Sequence, residues 1–374
     1  MERIRLGMVG GGIDANIGRV HRHAAWLDGA FDLVAGALSS TPEKSRASGR
    51  ALGLAAERCY GSYAEMAEAE AAREDGIEAV AIVTPNHVHG PAAAAFLERG
   101  IHVICDKPLT ATMEQAQALE RAVRASQALF ILTHNYTAYP MIRQAREMIA
   151  AGELGALRVV QVHYAQDWLA RAGDSKQAEW RGDPARAGLG GAVGDIGTHA
   201  HNLACFVSGL PVERLAADLQ AFVPGRAVDD NGHVLLRFAG GVRGMLWCSQ
   251  VAVGHENGLS LKIYGDAGGL DWSQEEPDRL WFTPYGQPKR LLTRGGAGAT
   301  AAARAISRVP GGHPEGYLEG FANLYTEAAT AIRAARHGSR DLGLLPGLEE
   351  GLAGMRFITA CVTSSAQDAT WVTL

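Results

Sequence analysis

The chain divides by the period of its apolar positions. Up to about residue 150, short runs rich in β-branched residues ("IRLGMV", "FDLVAGAL", "EAVAIVT", "HVICD", "LFILTHN") alternate with longer Ala/Glu/Arg segments. In those segments ("EKSRASGRALGL", "YAEMAEAEAARE", "HGPAAAAFLERG", "MEQAQALERAVRAS") apolar residues recur at helical spacing. Strands without polar alternation, each followed by a helix, predict repeated βα units and a parallel sheet buried on both faces. After "YPMIRQAREMIAAGELG" the period changes: "LRVVQVHYAQ", "HVLLRFAGGVRGMLWCSQ", "LSLKIYGDAGGLDWS" and "RLWFTP" alternate apolar and polar positions between hairpin-type turns. That pattern predicts a largely antiparallel, open sheet with one wet face. Two late helices, "LEGFANLYTEAATAIRAAR" and "GLEEGLAGMRFITACVTSS", precede a strand-like "TWVTL". The expected fold class is therefore α/β, a doubly wound parallel sheet in residues 1–150 followed by an α+β domain in 151–374. The final segment is a candidate to pack back on the first domain. "RGGAGATAAARA" reads as a mobile loop or lid from its small residues.

Size and composition narrow the function. A chain of 374 residues exceeds one hydrophobic core, which supports two domains. With 47% hydrophobic and 20% charged residues and no run of about 18 apolar positions, it reads as a soluble protein without a membrane span. "MERIRLGMVGGG" passes straight into a strand without a signal-peptide pattern, so a cytoplasmic location is expected. Five scattered cysteines, with no C-x-x-C, indicate neither a disulfide framework nor a zinc site. No metal is expected, because the histidines lack paired ligand spacing. A net charge of -5 without a basic block argues against nucleic acid as the partner and favours a small molecule.

The chemistry-bearing motifs lie where the predicted strands end. In "VGGGIDANIGRVH", Gly10, Gly12, Ala15 and Gly18 occupy the turn after the first strand and the start of a helix. Glycines there let backbone N–H groups approach a pyrophosphate. The spacing is irregular: Ala15 stands where a third glycine is usual, and Gly18 and His21 read as the end of a lengthened loop. The second strand ends at Ser39 and Ser40 without the carboxylate that holds the ribose hydroxyls of NAD, leaving NADP possible beside NAD. "VTPNHVHG" puts Thr84, Pro85, Asn86 and His89 along the same edge, and the next strands end at Asp106-Lys107-Pro108 and Asn135. Past the domain change, Asp195 and His199 are four apart in "GGAVGDIGTHAHN", a spacing that puts both on one helical face. A carboxylate beside an imidazole suits proton transfer near neutral pH. His201, two residues on, points elsewhere.

These motifs, in this order, resemble the Gfo/Idh/MocA oxidoreductases, which include inositol dehydrogenases and glucose–fructose oxidoreductases. The resemblance spans essentially the whole chain. It implies a Rossmann-type first domain and a catalytic group of Lys107, Asp195 and His199. The usual Glu-Lys-Pro is here Asp106-Lys107-Pro108; the proline is commonly cis in relatives. The resemblance places Trp180 and Arg181 near the nicotinamide, and Asp106, Lys107 and Asn135 are further candidates on the cofactor side. Tyr164, Gln166, Asp167, Trp168 and His313 are candidate sugar contacts beside Lys107, Asp195 and His199, since aromatic rings and fixed polar groups suit polyhydroxylated ligands. The expected activity is hydride transfer between a nicotinamide and a hydroxyl of a sugar, sugar derivative or cyclitol. A redox-neutral NAD-dependent glycoside hydrolase, working through transient C3 oxidation and elimination, is the alternative. A non-catalytic nucleotide sensor is the third reading, disfavoured by the joint presence of Lys107, Asp195 and His199. A homodimer or homotetramer is expected, formed through the open sheet.

Overall fold

The computed structural model describes residues 2–171 and 184–374. Packing divides them into two units. The first comprises Met1–His134 and Phe321–Leu352, the second Asn135–Gly320 and Ala353–Leu374.

In the first unit, β1 (Ile4–Gly10), β2 (Phe31–Ala37), β3 (Ala79–Val83), β4 (His102–Cys105) and β5 (Phe130–Leu132) form a parallel sheet in the order β2-β1-β3-β4-β5. Every residue of β3 is buried, as an unalternating apolar strand requires. The connecting helices are α1 (Asn16–Leu27), α2 (Pro42–Ala51), α3 (Tyr63–Ala71), α4 (Asn86–Leu97) and α5 (Met113–Ala125). Ser62 and Thr112 cap α3 and α5 by accepting the N–H groups of Glu65 and Gln115. An isolated parallel bridge joins Gly36 to Cys59 beyond the β2 edge. Counting it as a vestigial strand gives 3-2-1-4-5-6, the order of dinucleotide-binding sheets, whose ligands lie at the carboxyl ends of the strands.

The first unit is completed from the far end of the sequence. α8 (Tyr317–Ala335) brings Tyr325 edge-on to Phe31, with ring centroids 5.4 Å apart. Leu132 N–H donates to the Pro346 carbonyl just before α9 (Leu348–Ala366). The segment that returns is thus 321–352. The last strand, β14 (Val372–Thr373), instead pairs with Leu215 and Arg214 in the sheet of the second unit.

That sheet has nine strands: β6 (Leu157–Ala165), β7 (Val212–Gln220), β8 (Asn231–Phe238), β9 (Arg243–Ser249), β10 (Gly258–Gly265), β11 (Gly268–Ser273), β12 (Arg279–Pro284), β13 (Arg290–Thr293) and β14. Their order is β13-β12-β11-β10-β6-β9-β8-β7-β14, antiparallel except for the parallel pair β6–β9. One face is dry, with Val160, Val162 and Tyr164 on β6 and Leu259, Leu261 and Ile263 on β10 buried. Against it pack α6 (Pro140–Ala150) and α7 (Thr198–Ser208). α6 therefore belongs to the second unit, and the division falls at His134/Asn135 and not at residue 150. The other face carries Leu235 and Met245, 53% and 49% exposed.

The small-residue segment at 294–304 is pinned and does not form a free lid. Gln144 accepts the Thr300 N–H at 2.7 Å and donates to the Gly298 carbonyl, Glu147 accepts the Ala302 N–H, and a short helix, Ala301–Ala305, buries Ala303 against α6.

Candidate active site

The glycine turn is built for close backbone approach. Gly10 and Gly11 have φ of 75° and 64°, a region that L side chains rarely adopt. A Cβ on Gly12 would stand 2.8 Å from the Leu38 carbonyl oxygen and 3.0 Å from Ser48 Oγ. Gly18 and His21 lie inside α1 and are not the end of a lengthened loop, since the helix starts at Asn16 with Ala15 as its N-cap. A Cβ on Gly18 would run into the backbone of Gly11, so this glycine lets the helix close on the turn. His21 is buried, and its Nδ1 is 2.9 Å from the Tyr325 hydroxyl. Ala15 offers no side-chain cap and the first turn of α1 has no acidic residue, which leaves N–H groups and a positive helix end beside the glycines.

At the neighbouring strand ends, Ser39 Oγ accepts the Thr41 N–H, a local turn bond, and Arg46 faces Glu65 at 3.8 Å. The buried Thr84 Oγ1 lacks a hydrogen-bond partner among the described residues and stands next to Gly10. Pro85 caps α4, and Asn86 is its first residue. His89 is fully buried, with both ring nitrogens on carbonyl oxygens, of Pro108 at 2.8 Å and Thr84 at 2.9 Å. Burial lowers its pKa, against the opposing pull of Asp106 and the two carbonyls. Asp106 Oδ1 accepts the Lys107 N–H at 3.0 Å and the Thr133 hydroxyl at 2.8 Å. The Lys107–Pro108 bond is cis, and Lys107 is half-buried.

In the second unit, Asp195 and His199 ride on one continuous helical stretch. A π turn, Val193–Gly197, carries Asp195 and leads directly into α7, whose second residue is His199. π turns recur at functional sites. The Asp229 carboxylate holds the approach, accepting the N–H groups of Gly191 at 2.7 Å and Val193 at 2.8 Å. Burial raises its pKa to about 6, opposed by those two bonds. Asp195 Oδ2 accepts from Gln250 Nε2 at 2.9 Å. His199 is buried and meets the edge of Tyr136, ring centroids 5.0 Å apart, with Tyr164 at 6.2 Å. His201 is turned away, stacked on Phe357 at 4.4 Å, and burial lowers its pKa to about 4.

The bonds around the two phenols run in one direction. The indole of Trp168 is a donor only, so Gln166 Oε1 accepts from it at 3.0 Å and Gln166 Nε2 donates to Asn257 Oδ1 at 2.8 Å. Asn257 Oδ1 also accepts the Tyr164 hydroxyl at 2.7 Å, which leaves the Tyr164 oxygen to accept from Tyr136 at 2.6 Å. Burial raises the pKa of both phenols, and the Asp195 charge adds to it, so both stay protonated. Trp168 is 41% exposed and offers a ring face. His313 is not brought to this cluster: its exposed ring lies on the Pro310 carbonyl, whereas Tyr317, a few residues further on, reaches Tyr136 with centroids 6.5 Å apart. Asn135 is buried at the start of the segment leading to Tyr136. Asp167 Oδ2 accepts the Gly254 N–H. Trp180 and Arg181 lie outside the described residues. Tyr136, Asp229, Gln250 and Asn257 carried no motif signal, because each sits in a turn or strand end that reads as punctuation. A groove of about 550 Å³ on the other face of the sheet, lined by His163, His233, Trp247 and Lys262, contains none of the candidate residues. Among the described residues no cluster of His, Cys, Asp or Glu is placed to hold a metal, and no helix is long and apolar enough to cross a membrane.

Comparison with known proteins gives the family. The profile of the oxidoreductase family with an NAD-binding Rossmann fold matches residues 4–145, and that of the GFO/IDH/MocA C-terminal domain matches 142–271. An oxidoreductase structure from Sinorhizobium meliloti is 59% identical over all of both chains, with a TM-score of 0.92. The chain belongs to the Gfo/Idh/MocA oxidoreductase family. An inositol dehydrogenase homolog from Azotobacter vinelandii, solved with NAD+, is 38% identical over 100% of this chain and 98% of its own, with a TM-score of 0.96. Levoglucosan dehydrogenase of Pseudarthrobacter phenanthrenivorans is 29% identical over 75% of this chain and 76% of its own length. The first unit is thus an NAD-binding Rossmann domain, and its residues fit the dinucleotide. The glycines that admit no Cβ, the uncapped start of α1 and the unpartnered Thr84 hydroxyl are what a pyrophosphate and its sugars need.

Proposed function

We propose that this oxidoreductase is an NAD-dependent dehydrogenase oxidising a secondary hydroxyl of a cyclitol or sugar. The observation that carries the reading is the pairing of Asp195 and His199 on one helical stretch, beside protonated phenols and a Trp168 ring face suited to a polyhydroxylated ligand. The A. vinelandii homolog, solved also with NADH and myo-inositol, supports the substrate class. NAD, when bound, supplies the hydride acceptor. His199 takes the proton of the hydroxyl whose carbon loses hydride, Asp195, steadied by Gln250, orients the ring or the sugar, and the Lys107 ammonium meets the charge developing on the oxygen. Gly10, Gly12, Gly18, Thr84 and the Asp106-Lys107-Pro108 turn serve the cofactor side, and Trp168 the sugar. With no carboxylate at the end of β2, NADP is tolerated but not preferred. The exposed apolar face around Leu235 and Met245 supports a homodimer or homotetramer.

The test is NADH formation from myo-inositol and levoglucosan by wild-type protein and by Lys107→Ala. The variant should keep its melt and most of its NAD affinity while losing about a hundred- to thousandfold in kcat, on the order of 3 to 4 kcal/mol. Near-normal turnover in folded Lys107→Ala protein overturns the assignment.

A further inference from the structure

The ladder between β3 and β4 ends with Ile82 opposite Cys105, followed by the Asp106 N–H on the Ile82 carbonyl. Beyond that point the ring of His89 spans the gap. Its Nδ1 is 2.8 Å from the carbonyl oxygen of Pro108, one residue past Lys107, and its Nε2 is 2.9 Å from that of Thr84, one residue past β3. A carbonyl can only accept, so any bond here is donated by the ring; a neutral ring serves one carbonyl and a protonated ring serves both. The charged groups acting on the ring are the Asp106 carboxylate and the Lys107 ammonium. On the other side of Lys107, Asp106 fixes its own turn through the Lys107 N–H and the Thr133 hydroxyl. Lys107 is thereby flanked by two anchors, and the Pro108 anchor comes from a side chain with no solvent exposure.

We propose that His89 is the positioning residue of Lys107, tying the Asp106–Pro108 turn to the first turn of α4 through a bond from Nδ1–H to the Pro108 carbonyl. The proposal rests on the role given to Lys107 above. It replaces the expectation that His89 contacts the cofactor, since both ring nitrogens are directed at carbonyls within the protein.

The test compares the full chain, loaded with NAD+, with His89→Asn and His89→Gln. The asparagine amide nitrogen falls near the position of Nδ1 and keeps the tie to Pro108. The glutamine nitrogen falls near Nε2 and keeps only the tie to Thr84. The first readout is the acylation rate of Lys107 by limiting acetic anhydride, measured by mass spectrometry against the exposed Lys44 of the same chain. Lys107 reactivity should change several-fold in His89→Gln and stay close to wild type in His89→Asn. With myo-inositol as probe substrate, kcat should fall about ten- to hundredfold in His89→Gln at unchanged KM for NAD+, and clearly less in His89→Asn. Equal behaviour of the two variants, or a larger loss in His89→Asn, overturns the proposal. If neither variant folds, 15N spectra of the wild-type ring decide, and an unprotonated Nδ1 overturns it. If wild-type protein oxidises no sugar, the functional reading fails, while acylation of Lys107 still decides the role of His89.

Discussion

Replacing Asp229 by asparagine should change how the stability of the protein depends on pH, in a direction opposite to that of most carboxylates. Asp229 is 9% exposed and holds the Gly191 and Val193 N–H groups that lead into the π turn of Asp195. Burial raises its pKa from 3.8 to about 6. The folded state therefore binds the proton more tightly than the unfolded chain. Its contribution is fully present below about pH 4 and is lost as pH rises through about 6. A shift of about two units, at about 1.4 kcal/mol per unit, makes the loss about 3 kcal/mol. The amide of the asparagine variant cannot ionise. The difference in unfolding free energy, wild type minus Asp229→Asn, should then fall by about 3 kcal/mol between pH 4 and 7. Urea denaturation followed by tryptophan fluorescence, at half-unit pH steps, measures it, and other titrating groups cancel in the difference. A difference that is flat or rises with pH refutes the reasoning, because it means that the two N–H bonds outweigh the burial of the charge.

Gly12→Val should weaken NAD binding at least tenfold by calorimetry with the fold retained, since its Cβ must displace the Leu38 carbonyl or Ser48 and its branches enter the space of the pyrophosphate. Tyr136→Phe keeps the ring on His199 but removes the donor to Tyr164, and should cost about 1 to 2 kcal/mol of stability in denaturant titrations. Tyr136→Ala also removes the edge contact with His199 and should lower kcat for myo-inositol about tenfold or more. His201→Phe should abolish an acid-side loss of stability: burial holds His201 near a pKa of about 4, so wild type loses about 3 kcal/mol relative to the variant as pH falls from 6.5 to 4, again read by urea denaturation.

Period and punctuation carry the fold well. The unalternating "EAVAIVT" forms a fully buried central strand, and the alternating "LSLKIYGDAGGLDWS" forms the hairpin β10–β11. What they cannot carry is the return of the chain. Nothing in "LEGFANLYTEAATAIRAAR" says that Tyr325 will meet Phe31 and His21, because amphipathic periodicity names a buried stripe and not its partner. The parallel β6–β9 pair is hidden for the same reason. Candidate chemistry is legible where residue type and spacing act together, as at Asp106-Lys107-Pro108 and at Asp195 with His199. It is illegible where one polar residue from a distant turn completes a network: Asn257, inside "HENG", reads as a loop and yet receives both Tyr164 and Gln166. His89 stands out in the sequence by its strand-edge position, which cannot tell a side chain facing a ligand from one whose ring nitrogens face two carbonyls.

Asp229 and His201 also act on each other's visibility. Both belong to the second unit, and both are buried beside the stretch that carries Asp195 and His199, the one accepting N–H groups before it, the other inside α7. Between about pH 4 and 6 the ionisation of Asp229 removes about 3 kcal/mol, while the relief from protonating buried His201 returns a similar amount. Their slopes have opposite sign and nearly the same window, so wild-type protein should show little net pH dependence from either. A flat wild-type profile is therefore not evidence that the two groups are unperturbed. The single variants separate them: Asp229→Asn exposes a stability that climbs with pH through His201, and His201→Phe exposes one that declines with pH through Asp229. The difference between wild type and the double variant should be nearly flat, since His89 and the other buried titrating groups cancel in it. If that difference keeps either slope, the assignment of these two shifts to simple burial fails together with the arithmetic built on it.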